Sequence, residues 1–344
     1  MDIKTLRKVG HISQLGGIKR ITLGDGPAKG VEAYEVYNAM GLRGLLLADL
    51  CLDLYEFSYK GINFAFHSKG GIISPAGYDG GSDFASFFRA GMLYTCGLLN
   101  TGPGCDDEGV FHCDHGKIGM TPASSLSATE DWSRDNPVFT VSGRIREAGV
   151  TMHNMLLHRQ VETGLYDKEI RIKDMVENLE PFPVEHMILY HINIGYPLLD
   201  IGGKLYVNSE KTLPRTTETK EAVDSCLDVS EPLDHKHEDC FFHFPKLDPS
   251  GIARAAFVNH ELQLGLYVEY SGDTLPILVQ WKNMCPHDYV VAIEPSNSYI
   301  MGRSKERENG TLPKIEPYRK VEYRVTLGVL DGSDEIDAYL ERHF

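Results

Sequence analysis

Short runs in which apolar and polar side chains alternate recur along almost the whole chain, and this period of two constrains the fold more than any other feature. The stretch from Lys320 to Gly328 is the cleanest. Val321, Tyr323, Val325 and Leu327 fall on one side, Arg324 and Thr326 on the other. Comparable strand-like runs cover residues 31–37, 45–55, 138–145, 155–161, 170–176, 264–270, 277–281 and 323–329, broken by Gly, Pro, Asn and Asp. Residues 154–178 read as a hairpin with Thr163-Gly164 near its turn. Helical pattern is sparse. In Ser333 to Phe344, Ser333 is placed to cap, Asp334 and Glu335 suit the first turn, and Ile336, Tyr339 and Leu340 form one face. A short helix is expected around Asp83 to Arg89. The segment from Glu218 to Asp239 holds eight acidic residues against Lys220 and Lys236. It reads as a solvated excursion within one domain, because strand-like sequence resumes after Phe241. Many short strands and few helices predict a single all-β domain over residues 1–344, a large antiparallel β-sandwich.

Composition narrows the partners. A formal charge of −15, from 49 acidic against 34 basic residues, comes without any Lys/Arg cluster, which argues against a nucleic-acid backbone. No apolar stretch approaches a membrane span, and the first residues lack the apolar run of a signal peptide. Seven cysteines, odd in number and without CxxC, suit reduced thiols in a cytoplasmic protein. A small molecule, neutral or cation-compensated, is the expected partner, with no nucleic acid and no membrane.

Two segments carry the clearest chemistry. In Tyr190-His191-Ile192-Asn193-Ile194, the residues Ile188, Tyr190, Ile192 and Ile194 share one face, leaving His191 and Asn193 on the other. In Val290 to Pro295, Val291 and Ile293 share one face, while Val290, Ala292 and Glu294 share the other. A histidine and a glutamate fixed on rigid strands can move a proton on and off a substrate. An isolated strand histidine is usually a satisfied core residue. A carboxylate ending a buried run is harder to dismiss, because burial without a partner costs several kcal/mol.

The stretch from Gly97 to Ala123 is dense in glycine and polar residues, Asn100 and His115 among them, which suits a binding loop as well as a long surface connection. Gly116 after His115 lets backbone approach a ligand closely. Two groups of soft ligands, Cys105/His112/Cys113/His115 and His235/His237/Cys240, lack the paired spacing of zinc sites, so no metal is assigned. Trp281 beside Lys282 fits an aromatic platform with a donor, or equally a core Trp with a snorkelling Lys. Arg303 is a ligand donor or a surface charge.

The order of several segments resembles the aldose 1-epimerase (galactose mutarotase-like) superfamily, and within it an uncharacterised epimerase-like branch. The residues concerned are Tyr94 to Leu98, His115-Gly116-Lys117-Ile118 with Pro122-Ala123, Tyr190 to Leu198, Gln280-Trp281-Lys282, Ile293 to Asn297, Gly302-Arg303 and Gly310-Thr311-Leu312. The resemblance covers about Gly24 to Leu330. It implies a β-supersandwich with an open sugar-holding cleft, His191 as general acid, Glu294 as general base, and no cofactor. It also implies His115 as a ring-contacting donor and a substrate-binding aspartate, for which Asp239 (or its neighbour Glu238) stands; Asn100, Asn193, Trp281, Lys282 and Arg303 are the further candidate substrate contacts. The family's sugar-binding arginine has no counterpart at Asp49-Leu50-Cys51, so it is either missing or replaced by Arg43 or Arg89. The implied reaction is interconversion of the α and β anomers of an aldose by ring opening, with His191 charged and Glu294 ionised. Another proton transfer on a sugar or sugar acid, or sugar binding without turnover, are the alternatives. The assembly is expected to be a monomer or homodimer.

Overall fold

In the computed structural model, which describes residues 6–78 and 83–344, the alternating runs become strands of three antiparallel sheets. A five-stranded meander takes Gly17–Thr22, Glu32–Tyr37, Leu42–Leu47, Asp53–Tyr59 and Ile62–Asn63 in chain order. An eight-stranded sheet has Gly203–Val207 at one edge, then Ile252–Asn259, Leu264–Ser271, Lys320–Asp331, Glu169–Asn178, Asn154–Gly164, Val138–Ala148 and Ser124–Asp131. A six-stranded sheet runs Ser209–Pro214, Glu238–Pro245, Ile277–Cys285, Asp288–Ser296, Met187–Ile194 and Tyr94–Leu98. The expected β-sandwich is what forms.

The six- and eight-stranded sheets face each other across the main core. Ile188, Tyr190, Ile192 and Ile194 enter it from one side, and Val141, Leu157, Ile172, Val325 and Leu327 from the other. Every residue of Met187–Ile194 is buried, because a second apolar cluster covers the opposite face of that sheet. There Tyr94, Cys240, Phe242 and Val279 pack with Phe84, Phe88 and Ile300. The alternation in the sequence thus separates two interiors.

Some local readings change. The apolar run 45–55 is two strands joined by a reversal in which Cys51 and Leu52 take left-handed φ of 60° and 54°. No Gly or Pro marks that turn, so its period looked continuous. Ser333 is the first residue of the terminal helix Ser333–His343, and the cap position is Gly332, with no side-chain cap. Its apolar face is as expected, with Ile336, Tyr339 and Leu340 against Val258 and Leu330. The helix near residue 83 is one turn, Phe84–Phe87. The acidic segment is not wholly extended loop: Glu218–Ser225 coils as a 3-10 helix. All seven cysteines are free thiols. Among the described residues, no helix is long and apolar enough to cross a membrane.

Candidate active site

Register brings the histidine and the glutamate together. Leu189 pairs with Ser296 and Ile192 with Ile293 on adjacent antiparallel strands, which sets His191 across from Glu294. His191 Nε2 lies 3.3 Å from Glu294 Oε1, with the two side chains only 7% and 2% exposed. The contact is not aligned as a hydrogen bond. Glu294 Oε1 and His191 Nδ1 both lack a hydrogen-bond partner among the described residues, which is rare for buried polar atoms.

Both residues line a cavity of about 790 Å³ on the sheet face turned away from the main core. One part of its wall is apolar, from Phe66, Phe84, Phe88, Trp281 and Ile300; another is polar, from Asp114, His115, Arg215 and Glu238. Phe88 and Trp281 approach the His191 ring, with centroids 5.0 Å and 5.5 Å away. Trp281 Nε1 donates to Glu238 Oε2 at 2.9 Å, which fixes the indole.

His115 arrives on the long loop by backbone folding. Its N–H donates to the Gly102 carbonyl and its own carbonyl accepts from Gly97 N–H, each at 2.9 Å. The residue takes a left-handed φ of 53°. Gly116 follows at φ 72°, where a Cβ would fall 2.1 Å from the Gly97 carbonyl oxygen. The close approach made possible by Gly116 is therefore to the chain's own strand, and its effect is to aim His115. The ring packs on Phe84 at 4.8 Å and stands 6.3 Å from that of His191.

Burial sets the charge state. It pushes the His191 imidazole down to about 3, helped by His115, and the His115 imidazole down to about 3, helped by the Arg215 guanidinium. It holds the Glu294 carboxyl well above the ordinary range, opposed by Arg215. Both shifts favour the uncharged forms, a neutral imidazole beside a carboxylic acid, and run against the expected imidazolium and carboxylate. The desolvation cost of two ions exceeds their attraction in this closed setting. Asp114 rises to about 6, again through burial, with Arg215 opposing.

Five expected substrate contacts do not line the cavity. Asn193 is buried beneath it and donates to the carbonyls of Gly91 and His191 at 2.9 Å each, bracing the strand. Asn100 is fully buried, donating to the Pro103 and Cys113 carbonyls and accepting from Arg303 N–H. Arg303 is neither a ligand donor nor a surface charge: it is buried against Asp107 at 2.9 Å and Glu185 at 3.0 Å. Asp239 faces His237 at 3.0 Å, while its neighbour Glu238 is the one that lines the cavity. Lys282 donates to the Ser225 and Asp228 carbonyls, tying the acidic excursion to the sheet. It lies next to Trp281 on a strand, so it points the other way. The two proposed arginines are engaged elsewhere as well. Arg89 is buried against Asp53 at 2.6 Å, and Arg43 pairs with Glu35 on the surface. The arginine of the cavity is Arg215, directly after the strand Ser209–Pro214, held by its N–H to the Cys240 carbonyl at 2.8 Å. Nothing local marks it, or Asp114 and the Phe84/Phe88 pair, because only cross-strand register gathers them. Among the described residues, no three His, Cys, Asp or Glu side chains converge as a metal-ligand set.

Comparison with solved structures gives the fold a name. A Klebsiella pneumoniae protein described as a candidate aldose 1-epimerase superposes with a TM-score of 0.89 at 21% identity, over 98% of this chain and 89% of its own. A galactose mutarotase-like protein from Clostridium acetobutylicum gives 0.65 at 16%, over 93% and 100%. Galactose 1-epimerase from Lactobacillus acidophilus gives 0.61 at 13%, over 92% and 99%. The fold is the galactose mutarotase-like sandwich. No curated protein matches in sequence. Residues 28–329 match the family described as a domain of unknown function (DUF4432), and the chain belongs to that family.

Proposed function

We propose that the protein is a carbohydrate isomerase that interconverts the α and β anomers of an aldose by general acid–base ring opening. The observation that carries this reading is the His191–Glu294 pair, 3.3 Å apart at a cavity wide enough for a monosaccharide. The anomeric hydroxyl and the ring oxygen sit on one carbon, so two groups this close can address both at once. From the neutral resting state, His191 accepts the proton of the anomeric hydroxyl while Glu294 gives its proton to the ring oxygen. The C1–O5 bond breaks, its electrons go to O5, and C1 becomes an aldehyde. The pair is then imidazolium and carboxylate, whose attraction at 3.3 Å recovers part of their desolvation cost, so the charged pair is transient. Rotation about C1–C2 and closure on the other face run the transfers backwards and restore the neutral pair. Each residue is acid in one direction and base in the other, so the first donor here is Glu294. A positioned acid and a positioned base supply roughly 10²–10⁴-fold each, enough for a reaction that also proceeds in water. Trp281 and Phe88 offer flat apolar surface to the C–H face of a sugar ring, and Asp114, His115 and Arg215 offer polar groups to its hydroxyls.

The test is anomer exchange followed by polarimetry or NMR across common aldoses, deoxy sugars and uronic acids. Wild type should accelerate exchange of at least one sugar, and His191→Asn and Glu294→Gln should not. Undiminished exchange in both folded variants would refute the assignment.

A further inference from the structure

Arg215 stands apart from every other arginine of comparable burial. Arg89, Arg159, Arg171, Arg254, Arg303 and Arg307 are buried or half-buried, and each is within ion-pair distance of a carboxylate. Arg215 is also half-buried, yet its guanidinium makes no ion pair or hydrogen bond among the described residues. It faces the cavity, and its charge is felt at Asp114, His115 and Glu294. The cavity's other cation, Lys69, is taken up by Asp288 at 2.7 Å. Glu238 lines the cavity but is bound to Trp281. A half-buried guanidinium offers a rigid fork of donors matched to one planar carboxylate, and without an anion it bears a desolvation penalty.

We infer that Arg215 receives a carboxylate carried by the sugar, so that the substrate is an aldose acid of the hexuronate class. This rests on the reading of the cavity as a site for anomer exchange. The geometry of the sugar fits. In a hexuronate the carboxylate is attached to C5, the carbon that also bears the ring oxygen, so an anion held beside Glu294 leaves O5 facing the acid that protonates it. The pair of neutral imidazoles adds no second cation, and Lys69 is already neutralised. A phosphate dianion would find a single free cation, whereas a carboxylate needs only one. The overall acidity of the chain works against any anion at long range, and one local guanidinium at contact distance overrides it.

The experiment compares matched sugars on wild type and on Arg215→Gln: glucuronate and galacturonate, the neutral glucose and galactose, and their 6-phosphates. Anomer exchange gives kcat/KM for each, and saturation-transfer NMR gives binding independently of turnover. Wild type should prefer a uronate to its neutral partner by about 10-fold or more, the worth of a charged hydrogen-bonded contact. In Arg215→Gln the loss for the uronate should exceed the loss for the neutral sugar by a similar factor, chiefly through KM. Preference for the neutral sugar, equal losses for both, or preference for the 6-phosphate would each overturn the carboxylate assignment while leaving anomer exchange in place. If no sugar is turned over but uronates bind in an Arg215-dependent way, the reaction fails and the carboxylate site stands. Absence of uronate binding overturns it.

Discussion

The Tyr190 hydroxyl donates to Asp174 Oδ2 at 2.8 Å, across the gap between the two large sheets and one residue before His191. Asp174 also accepts from Arg159 Nε at 2.9 Å and Nη2 at 2.6 Å. Arg159 Nη1 reaches Asp53 at 2.6 Å, and Arg89 holds the other oxygen of Asp53 at 2.6 Å. All five side chains are buried. The strand that presents His191 to the cavity is therefore tied at its back by a closed ionic network.

That network should be worth more to stability than any surface pair. Arg159→Met leaves Asp174 buried without a cation, which is expected to cost about 3–5 kcal/mol. Tyr190→Phe removes one hydrogen bond to a charged acceptor, about 1.5–3 kcal/mol. Urea midpoints measure both, and changes near zero would show that the network adds nothing.

Catalysis should depend on His191 and Glu294 as a unit. Each of His191→Asn and Glu294→Gln is expected to lose roughly 10²–10⁴ in kcat. The double variant should be little worse than the worse single one, because neither group transfers a proton productively without the other. Multiplying losses in the double variant would mean that the two act independently.

Stability should respond to pH with opposite signs at the imidazoles and at Glu294. The folded His115 stays neutral down to about 3, while the unfolded one takes up a proton below its ordinary value of 6.5. Its contribution is present above that value and is lost as the pH falls. His115→Asn should therefore gain on wild type by about 1.4 kcal/mol per pH unit between these limits. Glu294 is raised from 4.5, so its contribution is present at low pH and lost as the pH rises. Glu294→Gln should gain on wild type with rising pH above 4.5, at about the same slope. Unfolding midpoints from pH 4 to 8 decide, and parallel curves would place these groups in water.

Adjacent residues on one strand should separate binding from scaffolding. Trp281→Ala removes the wall beside His191 and should raise KM by about 2–10-fold, the worth of an aromatic contact. Lys282→Met cuts the tie to the Ser225 and Asp228 carbonyls. It should lower stability by about 1–3 kcal/mol with KM unchanged. A KM effect at Lys282 with unaltered stability would reverse the two roles.

Local periodicity was sufficient for the sandwich. A strand exposes its faces in the sequence, so Ile188 to Ile194 declared one face for the core and another for His191, and Val291 to Glu294 did the same. Glycine and proline located most turns, and failed where Cys51 and Leu52 turn the chain with apolar side chains. What the sequence could not order was partnership across strands. Asn100, Asn193, Asp239, Lys282 and Arg303 are polar residues of the kind that hold sugars. Tertiary structure assigned them to carbonyls, to His237 and to buried carboxylates instead. Arg215 and Asp114 carry no pattern of their own and meet only because register brings distant strand ends and a folded loop to one cavity. The charge balance of the His191–Glu294 pair was likewise beyond the sequence, because the desolvation that pushes both towards their neutral forms depends on how completely neighbours such as Phe88 and Trp281 close over them.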